Sequence, residues 1–234
     1  MPFPFHRAIV RWRRRACEAV GVRRYSQPAL DALDRKLERY VDRDRGFFVE
    51  AGANDGFAQS NTYYFERFRG WRGVLVEGVP ELAAECRRNR PAATVVEAAL
   101  VATAAPGDTV TMHYSGLMSA VDNALGAETA THIERGLAVQ QIARSYTVQV
   151  RATTLTTLLD EICPGQEIDL LSLDVEGFET EVLRGLDLAR WTPRFICVEA
   201  RDRTAIQLLL NGHYRLVETL VEHGTRADLL WQRR

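Results

Sequence analysis

From residue 46 onward, short apolar runs alternate with segments of helical pattern, and this alternation restricts the fold more than any other feature of the chain. The apolar runs are nearly continuous instead of alternating with polar residues, as is expected for parallel strands that are covered on both faces. Strands are predicted at residues 46–50, 73–77, 93–100, 109–114, 168–173 and 194–199, and helices at 62–68, 80–89, 126–144, 179–184 and 205–210. This order predicts an α/β fold with a mainly parallel sheet.

Both ends of the chain depart from this alternation. Residues 214–221 and 227–232 predict a hairpin that adds an antiparallel edge to the sheet. Residues 1–45 predict an N-terminal extension, with a basic amphipathic helix within 1–25 and a second helix at 28–42. The chain of 234 residues has room for one α/β domain, which we assign to residues 46–234.

The N-terminal extension carries a concentration of positive charge. Seven arginines and a single acid, Glu18, lie within residues 7–24, whereas the whole chain has a net charge of −1. The balanced total gives no footprint for nucleic acid, so we expect none as a partner. The basic helix either packs against the edge of the domain or contacts a membrane surface or an acidic carrier.

Cysteine usage and hydropathy indicate the compartment. The four cysteines have neither the spacing of a zinc site nor that of a disulfide framework. No apolar run has the length of a membrane helix, and the N-terminus lacks the apolar stretch of a signal peptide. We therefore expect a cytoplasmic protein.

Several predicted strands end in a carboxylate. Ligands of open α/β sheets bind at the carboxyl ends of the strands, so the acids there are candidate ligand contacts. They are Glu50, Glu77, Asp174 and Glu199, while Glu97 lies within the third strand. One acid at a strand end is common, but four at one edge of a sheet indicate a binding site.

The turn that follows the first strand, residues 50–56, has the composition of a ligand-binding turn. Gly52 and Gly56 allow the backbone to approach a ligand closely, and Asn54 tolerates unusual backbone angles. The turn lacks the GxGxxG pattern of dinucleotide sites, and Glu50 would repel a pyrophosphate. An acid here suits a cationic ligand, such as S-adenosylmethionine (SAM) with its ammonium and sulfonium groups.

Glu77 extends the predicted site to a nucleoside. It ends the second strand 27 residues after Glu50, comparable to the ~20-residue offset of the ribose-binding acid in dinucleotide folds. A carboxylate at this position can accept a hydrogen bond from each hydroxyl of a ribose. The turn and Glu77 together predict a nucleoside ligand.

The segment at residues 168–179 carries the strongest signal. A buried strand runs directly into Asp174-Val175-Glu176-Gly177 and then into a helix. Asp174 and Glu176 would face the reacting end of the ligand. Glu176 and Glu179 also suit a helix N-terminus electrostatically, which is the alternative explanation for these two acids.

These motifs, in this order, resemble those of FkbM-type methyltransferases. The resemblance covers about residues 46–200 and rests on FVEAGANDG, VLVEGVPE, VRATTLTTLLDE, IDLLSLDVEGFETEVLRG and ICVEA, with Ser60-Asn61-Thr62 as a further element. It implies a Rossmann-like class I methyltransferase fold with a seven-stranded sheet and SAM as the methyl donor. It also implies O-methylation, often of a sugar hydroxyl in a natural product or polysaccharide.

The resemblance implies roles for individual residues. The methionine part of SAM would be held by Glu50, Gly52, Asn54, Gly56 and Asn61. Glu77 would bind the ribose, and Glu97 and Ala98 would lie beside the adenine. Asp174 would lie near the sulfonium and the acceptor. Many members of the family carry Lys-Ile-Asp where this chain has Ser172-Leu173-Asp174, so a role of that lysine does not carry over.

An acceptor hydroxyl needs a base or a metal ion to lose its proton. The candidate bases are Asp174, Glu176, Glu199 and His113. We do not favour a metal site, and the alternative is Mg²⁺ held by Asp174, Glu199 and Asp202. Residues 115–147 interrupt the strand–helix alternation and predict an insertion on the acceptor side, the alternative being a surface helix or an oligomer contact.

Two other functions fit the same pattern less well. A nucleotide-dependent oxidoreductase on a related sheet would need a dinucleotide turn, and Glu50 and the missing GxGxxG argue against it. A non-catalytic SAM-binding module would have no need to keep its reacting acids, and Asp174 is present.

Overall fold

Eleven strands in two sheets form the framework of the chain in the computed structural model, which describes residues 4–115, 119–121, 134 and 145–234. The strands are β1 (Phe47–Ala51), β2 (Arg72–Glu77), β3 (Thr94–Glu97), β4 (Ala99–Leu100), β5 (Thr109–Tyr114), β6 (Ala120–Val121), β7 (Tyr146–Thr153), β8 (Leu170–Leu173), β9 (Phe195–Ala200), β10 (Tyr214–His223) and β11 (Arg226–Arg233). The central sheet has seven strands in the order β10–β11–β9–β8–β1–β2–β3.

The direction of the strands confirms the predicted fold class. Strands β3, β2, β1, β8 and β9 are parallel, and the hairpin β10–β11 is antiparallel and pairs with β9. This is the Rossmann-like class I methyltransferase arrangement, a mainly parallel seven-stranded sheet with a C-terminal antiparallel hairpin. The strand order reverses at β1, which lies between β2 and β8, so a crevice forms outside the carboxyl ends of β1 and β8.

Helices cover both faces of this sheet. They span Pro4–Ala19, Leu33–Glu38, Tyr63–Arg69, Pro80–Asn89, Leu155–Ile162, Glu179–Arg184 and Arg203–Leu210. Apolar side chains of the strands pack against them in two clusters, one around Leu171, Ile196 and Trp231, the other around Phe48 and Trp71. Among the described residues, no helix is long and apolar enough to span a membrane.

The prediction of one continuous helix at 28–42 is wrong. A short 3₁₀ turn at Leu30–Ala32 precedes a helix that is limited to Leu33–Glu38. Asp31 and Ala32 have φ values of 49° and 56°, and a left-handed backbone at two successive residues cannot belong to a right-handed helix. The regular spacing of leucines reflects burial of the segment, with its direction changed at this break.

The third predicted strand, 93–100, is in fact two strands in two different sheets. β3 ends at Glu97, and after Ala98 the chain continues as β4, which pairs with β7. β4, β7, β5 and β6 form a four-stranded second sheet that the sequence did not predict. The predicted helix at 126–144 lies outside the described residues except for the helical Glu134.

The other edge of the central sheet is β10. Its register with β11 shifts twice, between Leu216 and Glu218 and between Thr219 and Val221, so the strand is bulged. The helix Leu33–Glu38 packs beside it, and Lys36 Nζ donates a hydrogen bond to the Leu220 carbonyl at 2.9 Å.

Candidate functional site

A cleft that is partly open to solvent lies at the carboxyl ends of β1, β2 and β8. The second sheet supplies one of its walls. Eight of the residues proposed from the sequence line it: Glu50, Gly52, Asn54, Asn61, Glu77, Ala98, Asp174 and Glu176. Ser172, which was not proposed as a site residue, also lines it. Gly56, Glu97, Glu199 and His113 do not line the cleft.

Glu50, at the end of β1, is buried and already strongly hydrogen-bonded by the protein. One carboxylate oxygen accepts from the hydroxyl of Ser60 at 2.9 Å and from that of Thr62. The other accepts from the backbone N–H of Asn61 at 2.8 Å and retains a further acceptor position. Glu50 therefore shapes the loop 60–62, and one of its oxygens is still able to accept a hydrogen bond from a ligand.

Arg90 balances the charge of Glu50, and the sequence did not single it out. Its side chain is fully buried, with one terminal nitrogen 3.7 Å from Glu50 and Nε 2.7 Å from Glu66. The guanidinium also donates to the Gly56 carbonyl at 3.1 Å and to the Thr62 hydroxyl at 3.0 Å. A lone arginine one residue after a helix resembles any exposed cation in the sequence, so no local pattern could have identified it.

The glycines of the turn are needed for packing within the protein. Gly52 has φ of +80°, and a Cβ there would lie 1.8 Å from the Asp174 carbonyl oxygen. Gly56 has φ of +78°, and a Cβ there would meet the side chains of Arg90 and Cys86, each at 2.8 Å. The sequence predicts that both glycines allow a ligand to approach the backbone. For Gly56 this prediction is wrong, because Gly56 faces the helix Pro80–Asn89 and not the cleft.

Glu77 joins the ends of β1 and β2. One of its oxygens accepts from the Asn54 N–H and the other from the Val79 N–H, both at 2.8 Å. Asn54 has φ of +51°, which aims its N–H at this carboxylate. Burial raises the pKa of Glu77 to about 7. The carboxylate is thus held in a fixed orientation at the wall of the cleft, with acceptor positions left for two hydroxyls.

The apolar end of the cleft lies between β2 and the second sheet. Ala98 lies there with Leu82, Leu100, Met112 and Val121, a set of side chains that suits a planar ring such as adenine. Glu97, the other residue proposed beside adenine, is exposed and ion-paired with Arg87 at 3.4 Å. Neighbouring residues of an extended chain point to opposite sides, which explains why Ala98 faces the cleft and Glu97 does not.

The acidic end of the cleft is formed by the loop after β8. Asp174 and Glu176 both line it, and Glu176 has a left-handed backbone with φ of +54°. Burial and the neighbouring charge of Asp174 raise the pKa of Glu176 to about 8, despite an ion pair with Arg201 at 3.1 Å. Burial, together with the nearby Glu199, also holds the pKa of Asp174 well above its ordinary value.

Ser172 lies in the cleft at the position where many family members have lysine. It is buried in β8 opposite Glu50 of β1, and its hydroxyl accepts a hydrogen bond from the side-chain amide of Asn61 at 3.1 Å. The bond links Asn61, from the loop after β1, to the strand that ends at Asp174.

Glu199 lies behind the cleft, and Asp202 lies outside it. Glu199 is ion-paired with Arg226 at 3.0 Å, and burial raises its pKa to about 7. Asp202 begins the helix Arg203–Leu210 and accepts from the Ala205 N–H at 2.9 Å. The acid that joins Asp174 and Glu199 is Glu179, with one oxygen of each residue within 4.8 Å of the others. The alternative Mg²⁺ site at Asp174, Glu199 and Asp202 stays a prediction, and Asp202 is not among the three acids that lie together in the described part of the chain.

His113 lies on β5 of the second sheet, opposite Ala120 and Thr147 of its neighbouring strands. It is half-buried and does not line the cleft. Of the proposed acceptor-side insertion at 115–147, Ser119 and Val121 do line it, and much of the remainder falls outside the described residues.

The chain matches the model of one protein family, and it is distantly similar to several solved structures. The model of the methyltransferase FkbM domain matches residues 50–227. No curated protein sequence matches the chain. Among solved structures, a TehB-like SAM-dependent methyltransferase from Corynebacterium glutamicum is 12% identical, with 99% of this chain and 100% of that chain covered and a TM-score of 0.43.

Two further structures are similarly distant. A precorrin-6y C5,15-methyltransferase from Geobacter metallireducens is 12% identical over 87% of this chain and 88% of its own, with a TM-score of 0.45. A fibrillarin from Aeropyrum pernix, solved with S-adenosyl-L-methionine, is 12% identical over 81% of this chain and 67% of its own, with a TM-score of 0.45.

Proposed function

Since this chain belongs to the FkbM family of SAM-dependent methyltransferases, we propose that it transfers the methyl group of SAM to a hydroxyl of a sugar, either in a glycosylated natural product or in a polysaccharide. One observation carries the choice of a hydroxyl. Two carboxylates of raised pKa, Asp174 and Glu176, lie in the same cleft as the residues suited to SAM. Carboxylates of this kind can take the proton that a hydroxyl must lose.

The described residues fit SAM along the length of the cleft. The apolar end with Ala98 and Met112 suits the adenine, and the fixed carboxylate of Glu77 suits the ribose diol. Glu50 has one free acceptor position for the ammonium group. In their ionised form the acids at the other end attract the cationic sulfonium of SAM and not the neutral sulfur of the product.

In this proposal the protein contributes alignment and a base. SAM supplies an electrophilic methyl group, and the acceptor oxygen forms a bond to it while the bond from carbon to sulfur breaks. The hydroxyl proton passes to the carboxylate of Glu176, which lies in the loop beyond Asp174. Asp174 stays at the end of β8, where it orients the reacting groups. Its backbone carbonyl packs directly on Gly52, which ties the acidic loop to the turn that holds SAM.

We expect Glu77→Ala to lose the ability to distinguish a ribose from a deoxyribose. Calorimetry with S-adenosylhomocysteine and its 2′-deoxy analogue measures this. Wild-type protein should bind the analogue about tenfold to a hundredfold more weakly, because hydrogen bonds to a charged acceptor are worth about 1.5–3 kcal/mol. The variant should bind both compounds with the same, lower affinity.

The comparison between two ligands separates recognition from misfolding, because a damaged cleft would lower both affinities and leave their ratio unchanged. NAD serves as the control ligand for the oxidoreductase alternative. A variant that still discriminates between the two compounds would show that the ribose lies elsewhere. Tight binding of NAD with no binding of SAM would contradict the methyltransferase itself.

Activity should rise with pH until about pH 8 and then level off, since the proposed base works as a carboxylate and burial raises the pKa of Glu176 to about 8. The measurement is kcat/KM against pH, with a glycoside acceptor first identified by the mass of its methylated product. Glu176→Gln should lose the rising limb and lower kcat by about 10²–10⁴.

Glu181→Gln is the matched control for this experiment. Glu181 lies on the next helix, is one-third exposed and pairs with Arg184 outside the cleft. It should keep both the rate and the pH profile of the wild type. If Glu176→Gln keeps the rising limb, the base is another group, and if no hydroxyl acceptor is methylated while SAM binds normally, the chain is a SAM-binding module.

We further propose that the protein works in the cytoplasm, on a small-molecule or glycan acceptor and not on nucleic acid. All four cysteines are free thiols, three of them buried, as is usual in a reducing compartment. The chain's balanced net charge of −1 gives no footprint for nucleic acid.

A further inference from the structure

The outer face of the helix Pro4–Ala19 is apolar. Ile9 and Trp12 have exposed fractions of 59% and 73%, and Ala16 is exposed one turn later. Val20, directly after the helix, continues the same line with an exposed fraction of 76%. Residues at spacings of three and four share one side of a helix, so these side chains form a single stripe, which we call the outer stripe.

The inner face of the same helix is charged, the reverse of an ordinary surface helix. Arg14 and Glu18 are buried and ion-paired with each other at 3.8 Å. Arg14 lies 3.5 Å above the ring of Phe57, and Glu18 accepts from the hydroxyl of Tyr63 at 2.8 Å. Arg67 adds a second ion pair to Glu18 at 3.0 Å. These contacts fix the rotation of the helix, so that the apolar stripe is turned outward.

The exposed surface beside the outer stripe is positively charged, with Arg13 on one side of the stripe and Arg15, then Arg11, progressively farther round the helix on the other. Arg11, Arg13 and Arg15 are exposed, and within the part of the chain that the structure describes none of the three pairs with an acid. Many other exposed arginines do have an acidic partner, such as Arg151 with Glu161 at 2.9 Å. Glu18, the one acid in residues 7–24, is buried in the inner face. The surface therefore presents apolar groups and uncompensated positive charge.

We propose that the outer stripe and its three flanking arginines bind the surface of an anionic lipid bilayer. Apolar side chains between basic residues are the arrangement of helices that lie in a membrane interface. Tryptophan is enriched at the level of the lipid headgroups, and each arginine near an anionic surface adds attraction. An acidic protein would satisfy the arginines and leave the apolar stripe exposed, which is why lipid is the better partner.

The position of the helix links this surface to the cleft. Its contacts Phe57 and Tyr63 lie on either side of Ala58, Gln59, Ser60 and Asn61, all of which line the cleft. A bilayer bound to the outer stripe would therefore keep the cleft close to the membrane surface, where a lipid-linked or membrane-associated acceptor would be concentrated.

Co-sedimentation of the full chain with vesicles tests the proposal. Binding is expected to vesicles of phosphatidylcholine mixed with phosphatidylglycerol, to be weak for phosphatidylcholine alone, and to decrease with added salt. Ile9→Ser/Trp12→Ser and Arg11→Gln/Arg13→Gln/Arg15→Gln should each weaken binding by about tenfold or more. These side chains are exposed, so the variants should fold normally, which circular dichroism verifies.

Matched controls remove equal groups elsewhere. Leu208→Ser replaces an apolar side chain with an exposed fraction of 77%, and Arg151→Gln/Arg190→Gln/Arg203→Gln removes the same charge. Both should bind vesicles as the wild type does. Equal loss in the controls, or no binding of wild type to anionic vesicles, would overturn the proposal. So would binding to polyglutamate in place of vesicles, or a dimer that Ile9→Ser/Trp12→Ser dissociates.

Discussion

Gly52→Ala is expected to unfold the protein or to leave it at the limit of stability. A Cβ at this position would lie 1.8 Å from the Asp174 carbonyl oxygen, and the backbone already has φ of +80°. A left-handed backbone costs a non-glycine residue about 1–2 kcal/mol, and forced overpacking adds about 1–3 kcal/mol. Since β1 and β8 are both central strands, neither can move aside easily. Together these costs amount to a large part of the stability of an ordinary domain.

Substitutions at two other glycines separate the cost of a left-handed backbone from the cost of the contact with Asp174. Gly107 also has a positive φ, of +90°, but a Cβ there would meet nothing within 4 Å, so Gly107→Ala should show the backbone cost alone. Gly212 has neither a positive φ nor a close neighbour, and Gly212→Ala should be close to neutral. Urea unfolding followed by circular dichroism gives the three free energies. If Gly52→Ala loses no more than Gly107→Ala, the contact between the turn and Asp174 does not limit this fold.

Arg90→Met should have the second large effect, a loss of about 3–5 kcal/mol in the free energy of unfolding, because it leaves a buried carboxylate without its partner. Arg90 lies 3.7 Å from Glu50 and 2.7 Å from Glu66, and also holds the Gly56 carbonyl. The same substitution should weaken SAM binding, since the loop 60–62 depends on Glu50 and Arg90 together. Unfolding in urea and calorimetry with SAM measure the two effects.

Further substitutions show whether charge balance is the cause. Arg87→Met removes an arginine of the helix that ends just before Arg90. Arg87 is 47% exposed and forms a surface ion pair with Glu97 at 3.4 Å, so its loss should change stability by about 0.5 kcal/mol or less. Glu50→Gln combined with Arg90→Met should recover part of the loss, because the buried Glu50 side chain is then uncharged and only Glu66 remains without its partner. A single Arg90→Met variant as stable as Arg87→Met would contradict the role given to Arg90.

The sequence predicts the sheet well because each strand is short, apolar and clearly bounded. Pro80 places the start of its helix correctly, since proline favours a first helical position. The break at Asp31 and Ala32 could not be foreseen, because alanine does not ordinarily adopt a left-handed backbone and aspartate does so only occasionally. The division of residues 93–100 between two sheets depends on pairing with β7, which is remote in the sequence.

In the candidate site, too, local sequence patterns could be predicted and contacts between remote residues could not. Glu50, Glu77 and Asp174 could be proposed because strand ends converge in a parallel sheet. Arg90 could not, since its importance comes from four hydrogen-bond acceptors, on Gly56, Ser60, Thr62 and Glu66, that only the fold brings together. The sequence could not distinguish Glu97 from Ala98, which were both proposed to lie beside the adenine. The two residues lie on opposite sides of the chain, and only Ala98 lines the cleft.

The bulged strand β10 has a consequence for how this protein meets other chains. An open edge strand is a template for strand addition and aggregation unless it is bent, charged or covered. β10 is protected in all three ways: its register shifts twice, Glu218 and Glu222 carry charge along it, and Lys36 already bonds the Leu220 carbonyl. This edge is therefore closed to a foreign β-strand, and partners of β conformation are not expected to extend the sheet there.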